Sequence, residues 1–408
     1  MPISGGPKAL SFNPLKILQI LPTLDPSVGG VAPAVIALSR GLVSRRHDVH
    51  LLALDDPGAP WLASIGLRVH AIGRGLTSYQ YSRSLLPWLR RHGGDYDRVI
   101  VNGLWQYPNL AVWRHFAGSA IPYYVFPHGM LDPWFKRTYP LKHLKKWCYW
   151  PWAEYRVLRD AAAVIFTSEE ERIEAAESFW LYSYREKVSS LGIQTPPATT
   201  SNVKELFKQK FPQIRDRRML LFLGRLHPKK GCDVAIEALA NSKGAEKVML
   251  ALAGPDQIGW EQELRALAAR VGVEPNVIFT GMLTGEMKQS ALVNADALIL
   301  PSHQENFGMA VVEALAVGVP VLISNRINIW REIETDQAGY VDNDDLAGTK
   351  SLIERWINTD SAQRDLMRTA AGRCFANRFE IDRAVDSLLN ILEEPAPHDA
   401  ALPISPTR

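Results

Sequence analysis

With 408 residues, the chain is too long for a single compact core and long enough for two domains. Hydrophobic residues at 47% and charged residues at 22% are ordinary for a globular protein, and a formal net charge of +3 gives no ground for expecting nucleic acid as a partner. Cys148, Cys232 and Cys374 stand far apart with no C-x-x-C pair, which excludes a disulfide framework or a metal knuckle and leaves a reducing cytosol as the default.

The chain opens with a stretch to Phe12 that reads as disordered, then a short apolar run at 17–21. That run reads as a first strand and not as the apolar core of a signal peptide. No apolar run is long enough to span a bilayer, so a cytoplasmic location is expected. Gly29 and Gly30 follow the first strand, and an amphipathic segment covers 34–43. Further strand-like runs fall at 49–54, 69–72, 99–101, 123–126 and 163–166. Residues 192–202, G-I-Q-T-P-P-A-T-T-S-N, lack an apolar period and read as a linker. The pattern then resumes with runs at 219–223, 248–253, 277–280, 297–300 and 319–323, and with helical segments such as 260–271 and 286–294. Near-continuous apolar strands alternating with amphipathic helices imply an α/β chain whose parallel sheets are covered on both faces. Two such blocks result, 14–190 and 203–375. The amphipathic segment 380–393 carries Ile381, Ala384, Leu388, Leu389 and Leu392 as its apolar set, and 394–408 reads as a disordered tail.

Ligands bind open α/β sheets at the carboxyl ends of the strands. Five features fall there: Gly29-Gly30, His128-Gly129, Arg225 with Lys230, Gly254-Pro255, and the segment from Glu305 to Glu313. Together they would line one interdomain cleft. G-R-L-H-P-K-K-G, residues 224–231, sets Arg225, Lys229 and Lys230 just before a helix start, a sound way to hold a diphosphate. The P-loop spacing is absent, and the alternative is a solvated basic turn. In P-S-H-Q-E-N-F-G-M-A-V-V-E, residues 301–313, Glu305 lies in a loop and Glu313 inside a helix. Between them Asn306-Phe307-Gly308 would bring backbone amides close to an anion at a helix N-terminus. Glu313 would lie inward, able to accept hydrogen bonds from a ribose diol. The alternative is a capping box at Ser302-x-x-Glu305 with Glu313 on the surface. Glu169 and Glu177 share the spacing and read as one ordinary helix capped by Ser168. Gly29-Gly30 alone would equally serve a tight turn, and His128 a structural role. Asp342-Asn343-Asp344 has the D-x-D form of a metal–diphosphate ligand but reads more simply as a turn and N-cap. No other Asp/His cluster has ligand spacing, so no metal site is expected.

The E-x7-E element Glu305–Glu313, the G-R-x-x-x-x-K-G element Gly224–Gly231, the A-G-P at Ala253–Pro255 and the pair Gly29-Gly30 together resemble the retaining glycosyltransferases of family 4. The resemblance covers nearly the whole chain. It implies the GT-B fold, two Rossmann-like domains facing across a cleft, with the last helix, within 376–393, crossing back onto the first domain. H-G-M-L-D-P-W, His128–Trp134, is similar to a branch that builds exopolysaccharide and lipopolysaccharide. The implied reaction moves a hexose from a nucleotide-diphosphate sugar, UDP-glucose or similar, to a saccharide or lipid-linked saccharide, without a metal or other cofactor. Arg225 and Lys230 would bind the donor diphosphate and stabilise it as it leaves. Glu313 would hold the ribose, and Glu305 the sugar hydroxyls, with the backbone of Asn306, Phe307 and Gly308 beside it and Met309 next in the donor site. Gly29, Gly30 and Gly254 would pass close to the donor, and His128 would sit near the reacting face of the sugar. The linker has Leu191-Gly192-Ile193 where the family usually has an asparagine–glycine turn. No carboxylate of the first block stands out as a covalent nucleophile, so a front-face displacement guided by the leaving diphosphate is the expected route.

The first block holds nine of the twelve tryptophans, and 136–152, K-R-T-Y-P-L-K-H-L-K-K-W-C-Y-W-P-W, is basic and aromatic with no acidic residue. Two readings stay open for that segment. It rests on an anionic membrane surface, at the inner face of a membrane where a lipid-linked acceptor would be met; or it is a helix with a solvated basic face and its aromatics in the core. Three functions compete with transfer. A glycoside hydrolase would use Glu305 and Glu313 but leaves Arg225 and Lys230 without a purpose. The others are a non-catalytic nucleotide-sugar or glycan-binding subunit and a sugar-nucleotide epimerase.

Overall fold

The computed structural model describes residues 13–394 apart from 135, 137–139 and 216. The ends expected to be disordered, up to Phe12 and beyond Glu394, lie outside that range.

Two parallel sheets carry the chain. The first comprises β1 (Lys16–Leu21), β2 (Asp48–Ala53), β3 (Arg68–Ala71), β4 (Arg98–Asn102), β5 (Tyr123–Phe126), β6 (Ala163–Phe166) and β7 (Glu186–Val188), in the order β3-β2-β1-β4-β5-β6-β7. The second comprises β8 (Arg218–Leu223), β9 (Val248–Ala253), β10 (Val277–Gly281), β11 (Ala297–Leu300), β12 (Val321–Ser324) and β13 (Gly339–Asp342), in the order β10-β9-β8-β11-β12-β13. Each sheet reverses its direction of growth once, between β1 and β4 and between β8 and β11. At such a switch point the loops part, and a crevice opens beyond the carboxyl ends of the strands.

The central strands are apolar from end to end because both of their faces are covered. β9 and β11, for example, are wholly buried. Two of the four edge strands were not among the expected ones. β7 is Glu-Lys-Val and β13 is Gly-Tyr-Val-Asp, and both are partly open to water. An edge strand has one paired side and needs no continuous apolar run, so it leaves little pattern to read. The run at 319–323 becomes a strand only at Val321, because Pro320 has no N–H to give to a ladder.

The helix Ile381–Leu392 returns to the first domain and completes its core. Ile381, Ala384, Val385 and Leu388 pack with Ile17, Leu38, Leu42 and Ile100, each larger side chain contributing roughly 2 kcal/mol by burial. It lies against the helix Val31–Ser44 at Gly41, where a Cβ would fall 2.5 Å from Val385 Cγ2. Arg98 Nε donates to the Leu392 carbonyl at 2.6 Å and holds the C-terminal end. Glu394, placed in the tail by sequence, pairs with Lys187 at 2.5 Å.

The chain crosses between the domains twice, and the crossings are tied together. Ile193 N–H donates to Phe379 O, and Ile381 N–H donates to Ile193 O, both at 3.0 Å. Gly192 permits this, since a Cβ there would lie 2.9 Å from Ile381 Cα. Thr200 caps the helix Ser201–Lys210 by accepting from Val203 N–H, so regular structure begins inside the Pro/Thr-rich segment. No described helix is long and apolar enough to cross a membrane.

Candidate active site

In the second domain, the loops after β8 and β11 are locked together at one glycine. Gly231 has φ +70°, and a Cβ there would lie 2.3 Å from the Pro301 carbonyl oxygen. Any side chain would force the loops apart. His303 N–H donates to Lys229 O at 2.9 Å and closes the same junction. This apposition sets the Lys230 ammonium directly against the Glu305 carboxylate. Glu305 is held from behind, its N–H donating to Arg326 O at 2.9 Å and its carbonyl accepting from Asn328 N–H at 3.0 Å. Burial, with Lys229 and Arg225 nearby, lowers the Lys230 pKa from its ordinary value, while the Glu305 carboxylate in contact favours the charged form. Arg225 is exposed, its Nη1 donating to Gln257 Oε1 at 3.2 Å. Gly254 lies beside it because a Cβ would sit 1.8 Å from Gly224 O.

Glu305 does not start a helix, and Ser302-x-x-Glu305 is not a capping box. Ser302 is buried, its carbonyl accepting from the Ser324 hydroxyl at 2.5 Å, and the helix begins at Met309 with Gly308 as N-cap. Gly308 has φ +70°, and a Cβ there would meet Ile327 Cγ2 at 2.9 Å. The first-turn amides of such a helix have no acceptor within it, and its dipole favours an anion. Glu313 lies further along the helix Met309–Ala316 and is paired not with Glu305 but with Lys288 Nζ at 2.7 Å, from the helix Gly285–Asn294. The Phe307 ring is buried edge-on to Phe379 at 5.7 Å, so its main chain, the part expected beside the sugar, is what it has left for a ligand. Burying an apolar ring is worth more than turning it into a polar cleft.

The first domain brings two loops to the same place. Gly30 faces Met309, with a would-be Cβ 4.0 Å from Met309 Cγ. Gly29 faces open space and lines a cavity of about 200 Å³ that also touches Thr23, Asp25, Asn102, Gln106 and Met130. His128 has φ +50°, a conformation in which histidine is enriched among non-glycine residues, and its ring stacks on Phe126 at 5.4 Å. Its Nε2 lies 2.9 Å from Asn102 Oδ1, and the Asn102 amide nitrogen donates to Gln19 Oε1 at 2.9 Å. Asn102 Oδ1 therefore accepts, His128 carries its proton on Nε2, and Nδ1 is an acceptor. Burial lowers the His128 pKa to about 4, so the imidazole is neutral near pH 7.

Sequence reasoning missed Glu171. Ser168 does cap the helix Glu169–Ala175, accepting from Glu171 N–H at 3.1 Å, and that helix ends before Glu177. The Ser168-x-x-Glu171 spacing is the available signal, a capping-box pattern. The Glu171 carboxylate instead turns inward. It accepts from Thr167 N–H at 2.6 Å, the Thr167 hydroxyl at 2.7 Å and Gly129 N–H at 2.5 Å. Burial raises its pKa, and these hydrogen bonds oppose the rise. Thr167 Oγ1 accepts in turn from Asn306 Nδ2 at 3.1 Å. Glu171 thereby links the loop carrying His128 and Gly129 to the loop carrying Glu305 and Asn306. Gln304 Nε2 adds a second bridge, donating to Asp132 Oδ2 at 2.6 Å.

Asp342-Asn343-Asp344 is engaged otherwise. Asp344 pairs with His303 Nδ1 at 2.8 Å and Arg326 at 3.5 Å, and it is Asp345 that caps the next helix through Gly348 N–H at 2.7 Å. No described group of three His, Cys, Asp or Glu is gathered for a metal ion.

Residues 203–373 match the protein family described as "Glycosyl transferases group 1", and residues 29–188 match "Glycosyl transferase 4-like domain". The D-inositol 3-phosphate glycosyltransferase of Acidothermus cellulolyticus is 30% identical over 188 residues, 44% of this chain and 41% of that protein. The alpha-D-kanosaminyltransferase of Streptomyces kanamyceticus is 25% identical over 252 residues, 60% of this chain and 63% of that protein. The chain thus spans less than two thirds of the length of these relatives. Among solved structures, Anabaena HepE in complex with UDP and glucose aligns with a TM-score of 0.74 at 19% identity, over 93% of this chain and 100% of that one. Sucrose-phosphate synthase from Thermosynechococcus elongatus aligns with a TM-score of 0.73 at 17% identity, over 92% and 98%. The architecture is GT-B, as the sequence motifs led one to expect.

Proposed function

We propose that this chain, which belongs to the glycosyltransferases named by those two domain families, moves a hexose from a nucleoside-diphosphate sugar to a saccharide or lipid-linked saccharide, keeping the anomeric configuration and needing no divalent metal. One observation carries the reading: the Lys230 ammonium meets the Glu305 carboxylate beside the open amides of the helix that starts at Met309. A cation, an acceptor for hydroxyls and a helix N-terminus are the three things a sugar diphosphate requires.

In the reaction, the bond between the anomeric carbon and the bridging phosphate oxygen breaks, and negative charge grows on the departing diphosphate. Lys230 turns from Glu305 to that charge, joined by Arg225, and Glu305 is released to the sugar hydroxyls. Such stabilisation is largest where charge develops in a partly desolvated site. Glu313 takes the ribose diol, sharing its carboxylate with Lys288. The neutral His128 offers Nδ1 to a hydroxyl of the transferred sugar. The acceptor enters by the cavity beside Gly29. Retention through a covalent intermediate has little support, because Glu171, the carboxylate that touches the His128–Gly129 loop, is buried and already accepts three hydrogen bonds. The leaving diphosphate then takes the acceptor's proton on the same face. A hydrolase reading has to explain why both of its carboxylates are held by lysines.

A uridine donor carrying a glucose-like sugar is the first choice, in keeping with the ligands of HepE, and polysaccharide assembly on the cytoplasmic side is the proposed setting. The test is to incubate the purified protein with a panel of nucleotide sugars plus a chelator and follow free nucleoside diphosphate. Release from one donor, undiminished by the chelator, is expected. Chelator-abolished release would overturn metal independence. If no donor is turned over and none raises the melting temperature, the transferase reading is wrong.

A further inference from the structure

The helix Pro140–Tyr149 turns apolar side chains outward. Leu141, Leu144, Lys145, Trp147 and Cys148 fall on one arc of it; Leu141 is 83% exposed, Leu144 58% and Trp147 43%. Inward it sends polar groups. The Lys146 ammonium lies 4.5 Å over the Trp105 ring, His143 stacks on Phe179 at 4.9 Å, and the Tyr149 hydroxyl meets that of Tyr79 at 2.7 Å. The patch continues to Trp180, which is 58% exposed with its ring 5.7 Å from Trp147, and Trp152, three residues past the helix, is 72% exposed. A solvated basic face with its aromatics in the core does not describe this helix. Single exposed leucines need no explanation, but two on the face of one helix beside a pair of touching indoles do.

The charge of this stretch of sequence has one sign. Between Asp132 and Glu154 the sequence carries Lys136, Arg137, Lys142, Lys145 and Lys146 and no acidic residue; Lys136 and Lys145 are exposed, while Lys146 turns inward. We propose that this helix, with Trp152 and Trp180, docks on an anionic lipid bilayer, lying in the headgroup plane with its leucines at the acyl boundary. Indoles suit that level, and cations of one sign suit an extended surface of the other. The helix also backs onto the site. Trp105, beneath Lys146, donates through Nε1 to Met130 O at 3.0 Å, and Met130 lines the cavity beside Gly29. Docking would bring that cavity to the lipid surface. The inference does not depend on the transfer reaction, since lipid binding needs no donor.

The test uses the full chain and vesicles of phosphatidylcholine with or without phosphatidylglycerol, pelleted at low salt. Binding to the anionic vesicles is expected, weakening with added salt and with neutral lipid. Leu144→Glu combined with Trp147→Glu should lower partitioning by roughly tenfold or more, with the melting temperature and lipid-free release of nucleoside diphosphate unchanged. Should that variant fail to fold, Lys145→Glu, an exposed charge reversal, is read the same way for a smaller loss. Absence of binding to anionic vesicles at low salt overturns the proposal, as does undiminished binding by the variants. A dimer that the double variant dissociates, without lipid binding by either protein, assigns the face to a second copy and overturns it too.

Discussion

Replacing Lys230 by methionine keeps most of the side chain's length and removes its charge. The side chain is only 17% exposed, so solvent screens it weakly. At an effective dielectric of about 20, an ammonium about 4 Å from a unit negative charge is worth roughly 4 kcal/mol. Part of that is already present with the ground-state diphosphate, and only the part that grows as the bond breaks enters kcat. Removing a comparable preorganised donor costs roughly 3–4 kcal/mol, which at about 1.4 kcal/mol per decade is a fall in kcat of about 100- to 1,000-fold. Glu305 loses its partner too, but it is 23% exposed, so water replaces part of the loss. Stability should therefore fall little beside activity. The assay is nucleoside diphosphate release at saturating donor, with a thermal melt on the same sample. A folded Lys230→Met protein that keeps more than about a tenth of wild-type kcat would refute the electrostatic argument, and a hydrolase using the two glutamates would behave in that way.

Glu313→Gln should act differently, because a ribose contact is held equally in ground and transition states: donor KM rises roughly tenfold with kcat within a few-fold, and a large kcat loss instead would place Glu313 at the reacting centre. Glu171→Gln puts an amide NH2 where one of the donors from Gly129 or Thr167 now points, and urea unfolding should show a loss of roughly 2–3 kcal/mol at unchanged m-value; a loss below about 0.5 kcal/mol would mean the buried links are not structural. The His128 value of about 4 lies below the ordinary 6.5, so between those values the unfolded chain binds the extra proton. Stability is full above pH 6.5 and falls as pH drops towards 4, by roughly 3 kcal/mol in all. His128→Gln should flatten that part of the stability profile, and an identical slope in both proteins would show that another group is responsible.

What the sequence made legible, and what it hid, divides along the range of the interactions. The central strands announce themselves because a strand covered on both faces must be apolar throughout, and the crevice follows from where the strand order turns. Lys230 and Glu305 were also within reach, since each stands at a strand end beside a glycine that the backbone requires, Gly231 and Gly308. Polar side chains that meet across the fold leave no such mark. Gln19 lies within β1, Asn102 ends β4 and His128 follows β5, and nothing in their spacing orders them into the line that fixes the histidine's proton on Nε2. Glu171 is the harder case, because its local sequence carries a correct message about a helix start and says nothing of the carboxylate's long reach to Gly129. Phe307 adds what the sequence leaves unsaid: beside the glycine and glutamate of the proposed donor loop, its ring belongs to the core formed with Phe379. Local chemistry thus nominates the loops of the proposed site, while packing decides which atoms of each loop are left to a ligand. For Phe307 those atoms are the amide and carbonyl, so Phe307→Leu should cost stability through the lost ring contact and leave the donor KM near its wild-type value.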